Sequence, residues 1–280
     1  MFKKVLIANR GEIATRVIRA CKELGIATVA IYSEPDSTSL YVKKADESYL
    51  VGPGPIEGYL NNHRIVDLAQ KVGVDAIHPG YGFLAENPNF AELCEKKDIT
   101  FIGPTSETIK VMGDKVRARD LVKNVGVPVV PGTNGRIKSI NEAVKFCNKM
   151  GYPVMVKASG GGGGRGLRVA RDEKELAKGI EIAQSEAKSA FGYSDVFIEK
   201  FIERPHHIEF QILADKYGNT IYLGERDCSI QRRHQKLIEI APSLLLDDEM
   251  RQKMGETAVK AAKAANYTNA GTVEFLVDKD

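Results

Sequence analysis

Five consecutive glycines, Gly160 to Gly164, stand between two β-capable runs, Pro153 to Lys157 and Leu167 to Ala170. Neither a helix nor a strand persists through such a run, because glycine gives up the most backbone freedom on ordering. Lys157-Ala158-Ser159-Gly160-Gly161-Gly162-Gly163-Gly164-Arg165-Gly166 is therefore a loop joining two strands. Without Cβ atoms its N–H groups can approach phosphate oxygens closely, while the loop stays free to open and close. It lacks the Gly-Lys-Ser/Thr ending and the following helix of a P-loop, so it reads as a flap over phosphate. A plain flexible linker is the alternative, and such linkers rarely join two adjacent strands.

A chain of 280 residues has room for about two domains. Its 43% hydrophobic and 28% charged residues are those of a soluble globular protein and exclude a disordered or fibrous class. A net charge of +3 is too small to argue for nucleic acid. Cys21, Cys94, Cys147 and Cys228 form no CxxC pair, which points away from zinc and disulfides and toward a reducing, cytoplasmic compartment. The apolar run at the N-terminus breaks at Asn9-Arg10, and no run approaches the roughly 20 apolar residues of a membrane span.

Hydrophobic periodicity predicts a strand at Lys4 to Ala8, a helix at Glu12 to Leu24 closed by Gly25, and a strand at Thr28 to Tyr32. A helix at Ile65 to Val72, a strand at Val74 to Ile77, a helix at Phe90 to Lys96 and a strand at Phe101-Ile102 continue the alternation. Such alternation implies a Rossmann-like parallel sheet. The first turn, Asn9-Arg10-Gly11, offers one glycine, not GxGxxG, which argues against a dehydrogenase. Helices at Ser106 to Met112 and Lys115 to Val125 lead to a break at Pro128 to Pro131, where the pattern puts a domain boundary. Beyond Tyr152 come longer β runs, at Val196 to Lys200, Ile208 to Asp215, Thr220 to Glu225 and Gly271 to Val277. Helices at about 173–190 and 247–265 separate them, and Lys216 to Asn219 makes a hairpin turn, so this half reads as α+β with antiparallel pairing.

Several residues carry candidate chemistry. Lys115 opens a helix, an unfavourable place for a cation unless an anion sits there too. Val196 to Ile202 is an apolar strand whose main chain could read an adenine edge. Adjacent His206 and His207 point in different directions on an extended chain with no third ligand in view, so hydrogen bonding by His207 is preferred to metal binding. The run Glu225 to Lys236 concentrates four cations just after a strand. Little aromatic interleaving accompanies it, so an anionic substrate suits it better than nucleic acid, with Lys236 a candidate for bicarbonate. Glu274 is a lone carboxylate in an apolar strand, which needs a partner such as Mg²⁺.

Together IANRGEIA from Ile7, HPGYGFLAEN from His78, MGDK ending at Lys115, KASGGGGGRG from Lys157 and ERDCSIQRRHQK ending at Lys236 resemble the biotin carboxylase family over essentially the whole chain. The resemblance implies a biotin carboxylase N-terminal domain at 1–113 and an ATP-grasp domain at 114–280. It implies that Lys115, Lys157, Gly163 and Gly164 meet ATP phosphates and that Glu199, Lys200, Phe201 and Ile202 hold adenine. His207, Gln231 and His234 would complete the nucleotide site. Lys236 would bind bicarbonate and act in catalysis, and Glu274 would bind Mg²⁺, or Mn²⁺, with ATP. Tyr81 and Gly82 would lie near biotin, and Glu86 near the catalytic pocket.

The implied reaction makes carboxyphosphate from bicarbonate and ATP, then carboxylates biotin. A biotin carboxyl carrier protein and a carboxyltransferase subunit are the implied partners, and a homodimer is compatible with the longer protein. The chain ends at Asp280, before the family's next strand with its second metal-binding Glu, an Asn, and the Arg and Glu for bicarbonate and proton transfer. The expectation is thus a truncated, incomplete ATP-grasp domain that binds nucleotide weakly and does not turn over alone. No Ala-Met-Lys-Met carrier site is present. The acyl acceptor, whether acetyl-CoA, propionyl-CoA or pyruvate, is chosen by a separate transferase. Other ATP-grasp ligases, such as carbamoyl-phosphate synthetase halves, share the flap but would lack HPGYGF together with QRRHQK. A non-catalytic nucleotide-binding or assembly module is the rival from another class.

Overall fold

The computed structural model of the chain describes residues 1–280 except 134, 159–166, 192–194, 233–234 and 279–280, and except the side chains of 115, 116, 158 and 189–191. The described residues form two units. The first comprises 1–114 with 214–219 and 265–270, and the second 115–213 with 220–264 and 271–280.

In the first unit, β1 (Lys4–Ile7), β2 (Ala27–Ser33), β3 (Glu47–Gly52), β4 (Ala76–His78) and β5 (Thr100–Phe101) make one sheet, ordered β3-β2-β1-β4-β5. All neighbours are parallel. Successive side chains of β1 serve opposite faces, as a strand of period two requires. Val5 and Ile7 pack with Ala14, Val17, Ile18 and Cys21 of α1 (Gly11–Glu23). Leu6 joins the other core, with Ile65, Val66 and Ala69 of α4 (Asn62–Val72) and Phe90 and Cys94 of α5 (Pro88–Lys96). This two-faced burial is why the central strands read as unbroken apolar runs.

The helix ends follow the sequence signals. Gly25 and Gly73 adopt φ +69° and +66° after α1 and α4, while Asn61 and Asn87 accept N–H bonds from Arg64 and Phe90 as N-caps. Three elements had no periodic signal: α2 (Leu40–Lys44), α3 (Pro55–Tyr59) and the edge strand β3. The helices are one turn each, and β3 exposes alternate residues over its first half, so none carries an apolar stripe long enough to read. Helix α6 (Ser106–Gly113), capped by Thr105, closes the unit.

The second unit opens with α7 (Lys115–Asn124) and α8 (Ile140–Met150). Strands β6 (Val154–Ala158), β7 (Leu167–Ala170) and β8 (Val196–Lys200) form an antiparallel sheet ordered β7-β6-β8, with α9 (Glu173–Phe191) against it. Lys157 pairs with Leu167, so the glycine-rich segment connects two antiparallel neighbours as expected, although the glycines themselves lie outside the described residues. Residues at and just after the end of the proline-bounded break at 128–131 pair along the free side of β8. Lys200 donates its N–H to Pro131 (2.7 Å), Thr133 to Ile198 (2.8 Å) and Ile137 to Val196 (2.9 Å).

A further sheet, ordered β11-β10-β9-β12, contains β9 (His206–Ala214), β10 (Thr220–Arg232), β11 (Gln235–Ile240) and β12 (Asn269–Val277), with α10 (Asp248–Ala264) against β10. Asp215 accepts N–H bonds from Tyr217 and Asn219 in the hairpin predicted there. One expectation is corrected: Glu225 to Lys236 does not follow a strand, because β10 runs on to Arg232 and β11 begins at Gln235. Polar composition hid the continuation. Gly224 at φ +93° also shifts the alternation, so Tyr222 packs against Gly255 of α10 while Glu225, three residues on, bonds Arg251 of the same helix.

Candidate active site

The second unit holds two ionic clusters, each built across neighbouring strands. The first joins β6 to β8. Lys157, next to the end of β6 where the glycine-rich segment begins, donates a short hydrogen bond to Glu199 Oε2. Arg119 of α7 stands 3.4 Å from the other carboxylate oxygen and donates to the Val130 carbonyl at 2.6 Å. All three side chains are mostly buried, with exposures of 30%, 19% and 18% for Lys157, Glu199 and Arg119. Lys200 turns its ammonium to the carbonyls of Gly151 and Tyr152, and the Phe201 N–H goes to Pro153. The main-chain donors of Lys200 and Phe201 are therefore already engaged within the protein, and Ile202 follows them half-buried.

The second cluster surrounds Lys236 at the start of β11. Its ammonium donates to Glu209 of β9 in a short bond and to Glu274 of β12 at 2.8 Å. Glu209, only 6% exposed, also accepts from Arg226 of β10 at 2.6 Å. Gln231 donates to His207 Nδ1 at 2.8 Å and to the Cys228 carbonyl at 2.9 Å, while His207 Nε2 lies 3.4 Å from Glu274. Burial alone would raise the Glu209 carboxyl, but Lys236 and Arg226 overcome it and hold it below its ordinary value. Burial likewise works against the Lys236 charge, and the two carboxylates outweigh it, raising the ammonium well above the ordinary lysine value. The result is an ammonium kept protonated by two carboxylates on a strand face, with a 30% exposed side chain whose third N–H is left for a further acceptor.

One sequence expectation changes here. Glu274 is not a lone carboxylate: its side chain is 53% exposed and has Lys236 and His207 beside it. His207 does hydrogen-bond, accepting from Gln231, and its ligand atoms lie within 4.8 Å of those of Glu209 and Glu274. His206 turns elsewhere, toward Asp227 at 3.6 Å and Ser229 at 3.5 Å, as the alternation of an extended strand requires. Glu209 and Arg226 were missed. The signal for Glu209 was present in His207-Ile208-Glu209-Phe210-Gln211-Ile212, where polar residues alternate strictly with apolar ones and mark a polar strand face.

Of the remaining predicted residues, Gly163, Gly164 and His234 lie outside the described residues, and Lys115 is the first residue of α7 with its side chain undescribed. Tyr81, Gly82 and Glu86 belong to the first unit. Tyr81 is 61% exposed and donates a short bond to Glu12, which raises its phenol above the ordinary value. Its loop is pinned by buried Asn9, whose amide donates to the carbonyls of Pro79 and Tyr81, both at 2.8 Å. Gly82 has φ +65°, and Glu86 is exposed.

Comparison with known proteins places this geometry. Residues 1–109 match the biotin carboxylase N-terminal domain, and residues 114–280 match the carbamoyl-phosphate synthase L chain ATP binding domain. The chain belongs to the biotin carboxylase family. It is 62% identical over 279 residues to the 2-oxoglutarate carboxylase small subunit of Hydrogenobacter thermophilus, covering 100% of this chain and 59% of that protein. Biotin carboxylase 1 of Bacillus subtilis is 60% identical over 279 residues, with 99% and 62% covered. The chain thus spans about three fifths of the length of these relatives. A crystal structure of the Hydrogenobacter thermophilus biotin carboxylase domain dimer, in complex with MgADP, ADP and bicarbonate, superposes with a TM-score of 0.92 at 62% identity, covering 100% of this chain and 62% of that one. Within the biotin carboxylase family, then, the parallel-sheet unit and the antiparallel sheets have their expected counterparts.

Proposed function

We propose that the protein carrying this chain uses MgATP and bicarbonate to carboxylate biotin on a carrier protein through carboxyphosphate, the first half-reaction of a biotin-dependent carboxylase. The observation that carries the reading is the Lys236 ammonium, oriented and kept protonated by Glu209 and Glu274, with a partly exposed third donor that can meet a small anion. Family membership and the bicarbonate and MgADP of the Hydrogenobacter thermophilus structure support it.

In this reading Lys236 receives bicarbonate. Lys115, Lys157, Gly163 and Gly164 meet the phosphates, Glu199 to Ile202 flank adenine, and His207, Gln231 and His234 complete the nucleotide site. Carboxylate oxygen suits Mg²⁺ better than imidazole nitrogen does, so Glu274, the more exposed of the two carboxylates on Lys236, would hold the metal, or Mn²⁺ in its place, together with ATP. Bound there, the metal would neutralise phosphate charge during transfer. Tyr81, Gly82 and Glu86 serve biotin from the N-terminal domain, whose boundary falls at 113/114. A biotin carboxyl carrier protein and a carboxyltransferase subunit are the partners, in the cytoplasm. Among the described residues no helix is long and apolar enough to cross a membrane.

The test is phosphate release from MgATP by the full-length protein. It should require bicarbonate, rise with free biotin, and fall about a hundredfold in Lys236→Met. ATP hydrolysis indifferent to bicarbonate and biotin would overturn the proposal.

A further inference from the structure

The proposed nucleotide site contains a conflict. Lys157, the cation next to the glycine-rich segment, has its ammonium bound to Glu199. A lysine ammonium has three donors, so a phosphate need not displace that carboxylate outright, but drawing Lys157 toward a phosphate weakens its hold on Glu199. Glu199 is 19% exposed, so a carboxylate left with less counter-charge there is poorly compensated by water. A second cation beside Glu199 would offset that loss.

We infer that Arg119 is that group: a positioning residue that takes over the Glu199 carboxylate and so makes Lys157 available to the phosphates of a nucleotide. Three observations carry this. Arg119 already stands 3.4 Å from Glu199 Oε1, the oxygen that Lys157 does not use. That separation exceeds the usual charge-assisted hydrogen-bond length of about 2.8 Å, so the contact can tighten when its competitor departs. Its guanidinium is also anchored, because Nη2 donates to the Val130 carbonyl at 2.6 Å. Gly132 keeps the space clear, since a Cβ there would meet Arg119 Nη1 at 3.0 Å and the Ile198 carbonyl at 2.5 Å. The planar fork of arginine can keep one N–H on Val130 while another serves the carboxylate, in a more rigid geometry than a lysine offers. Arg119 also lies one helical turn after Lys115, so α7 brings both residues to the same end of the proposed site.

This inference rests on the proposed nucleotide reading, and two measurements separate them. The first is the rate at which an amine-acylating reagent labels Lys157 in the 280-residue chain, read by peptide mass spectrometry. Arg119→Met should leave Lys157 as the remaining cation beside Glu199 among the described residues and slow its labelling severalfold, whereas Glu199→Gln should speed it. Arg119→Lys should fall between wild type and Arg119→Met. Labelling in Arg119→Met as fast as in the wild type, or faster, overturns the proposal. The second measurement is the affinity for ADP and for adenosine. Arg119→Met should weaken ADP about tenfold and leave adenosine unchanged, and the loss should vanish in the Glu199→Gln background. A loss that persists in that background, or that extends equally to adenosine, assigns Arg119 a merely structural role and overturns the proposal. If labelling responds as expected while ADP neither binds nor protects Lys157, the exchange stands and the nucleotide reading falls.

Discussion

Charged groups are buried in both units, but they are held in opposite ways. In the parallel-sheet unit Asp36 is closed in on all sides. Arg10 grips it with two bonds of 2.7 and 2.5 Å, Tyr59 donates to it at 2.5 Å and is itself bonded to Tyr41, and Ser33 adds a contact at 3.3 Å. In the second unit Lys157 and Lys236 lie on strand faces, each 30% exposed, Lys157 held by a carboxylate of the neighbouring strand and Lys236 by carboxylates of β9 and β12 in its own sheet. A carboxylate enclosed by donors that have nowhere else to go is architecture. An ammonium at a strand end, held on one side and open on the other, can change partners at small cost.

The sharpest way to break this contrast is Asp36→Asn. It would weaken the bonds from Arg10, Tyr59 and Ser33 at a 4% exposed position, though Arg10 is itself 44% exposed and solvated, and should destabilise the first unit by about 2–3 kcal/mol in denaturant unfolding. The pH dependence should follow. Arg10 first, and Tyr59 with it, hold the Asp36 carboxyl below its ordinary value of 3.8 against the opposing effect of burial. A depressed folded value means that this stabilisation is complete above pH 3.8 and is lost as pH falls through the lower folded value. Acid unfolding of the first unit should therefore lose this contribution in Asp36→Asn. An acid limb unchanged by the substitution would show that Asp36 is not the group that couples.

Lys236→Met should have a smaller effect on stability. Glu209 loses one of two cations yet keeps Arg226 at 2.6 Å, and the site is open enough for water to share the load. About 1–2 kcal/mol is expected from the second unit's unfolding transition. A loss as large as that of Asp36→Asn would move Lys236 from the exchangeable class to the architectural one.

The two classes were not equally legible. Long-range order in the first unit could be read because its strands are buried on both faces and its helices carry apolar stripes and Asn or Gly ends, as at Asn61, Asn87, Gly25 and Gly73. The buried Arg10–Asp36 pair could not. Its members are 26 residues apart, and Asp36 sits in a short 3-10 turn with no periodicity of its own. For the second unit the motifs located Lys157, Lys236 and Glu274, since each follows or interrupts a recognisable run. Their present partners were hidden. Pairing Lys236 with Glu209 and Glu274 requires the strand order β11-β10-β9-β12, and Arg226 joins them only after the shift at Gly224. Neither strand order nor a bulge is written in local spacing.

The smallest effect is the most informative about exchange. Glu274 is 53% exposed and shares Lys236 with a better-buried carboxylate, so Glu274→Gln should change the second unit's stability by less than about 1 kcal/mol. Function should respond far more. Lys236 would then be held by Glu209, the carboxylate proposed for Mg²⁺ would be lost, and the metal dependence of nucleotide binding should shift to higher Mg²⁺. Titrating ADP binding against Mg²⁺ in Glu274→Gln and in the unsubstituted protein, beside a denaturant curve for each, separates the two effects. A large loss of stability would place Glu274 with Asp36, among the groups that hold the fold. An unchanged Mg²⁺ dependence would remove Glu274 from the proposed metal site, and a shift without destabilisation is the signature of a carboxylate kept free to trade partners.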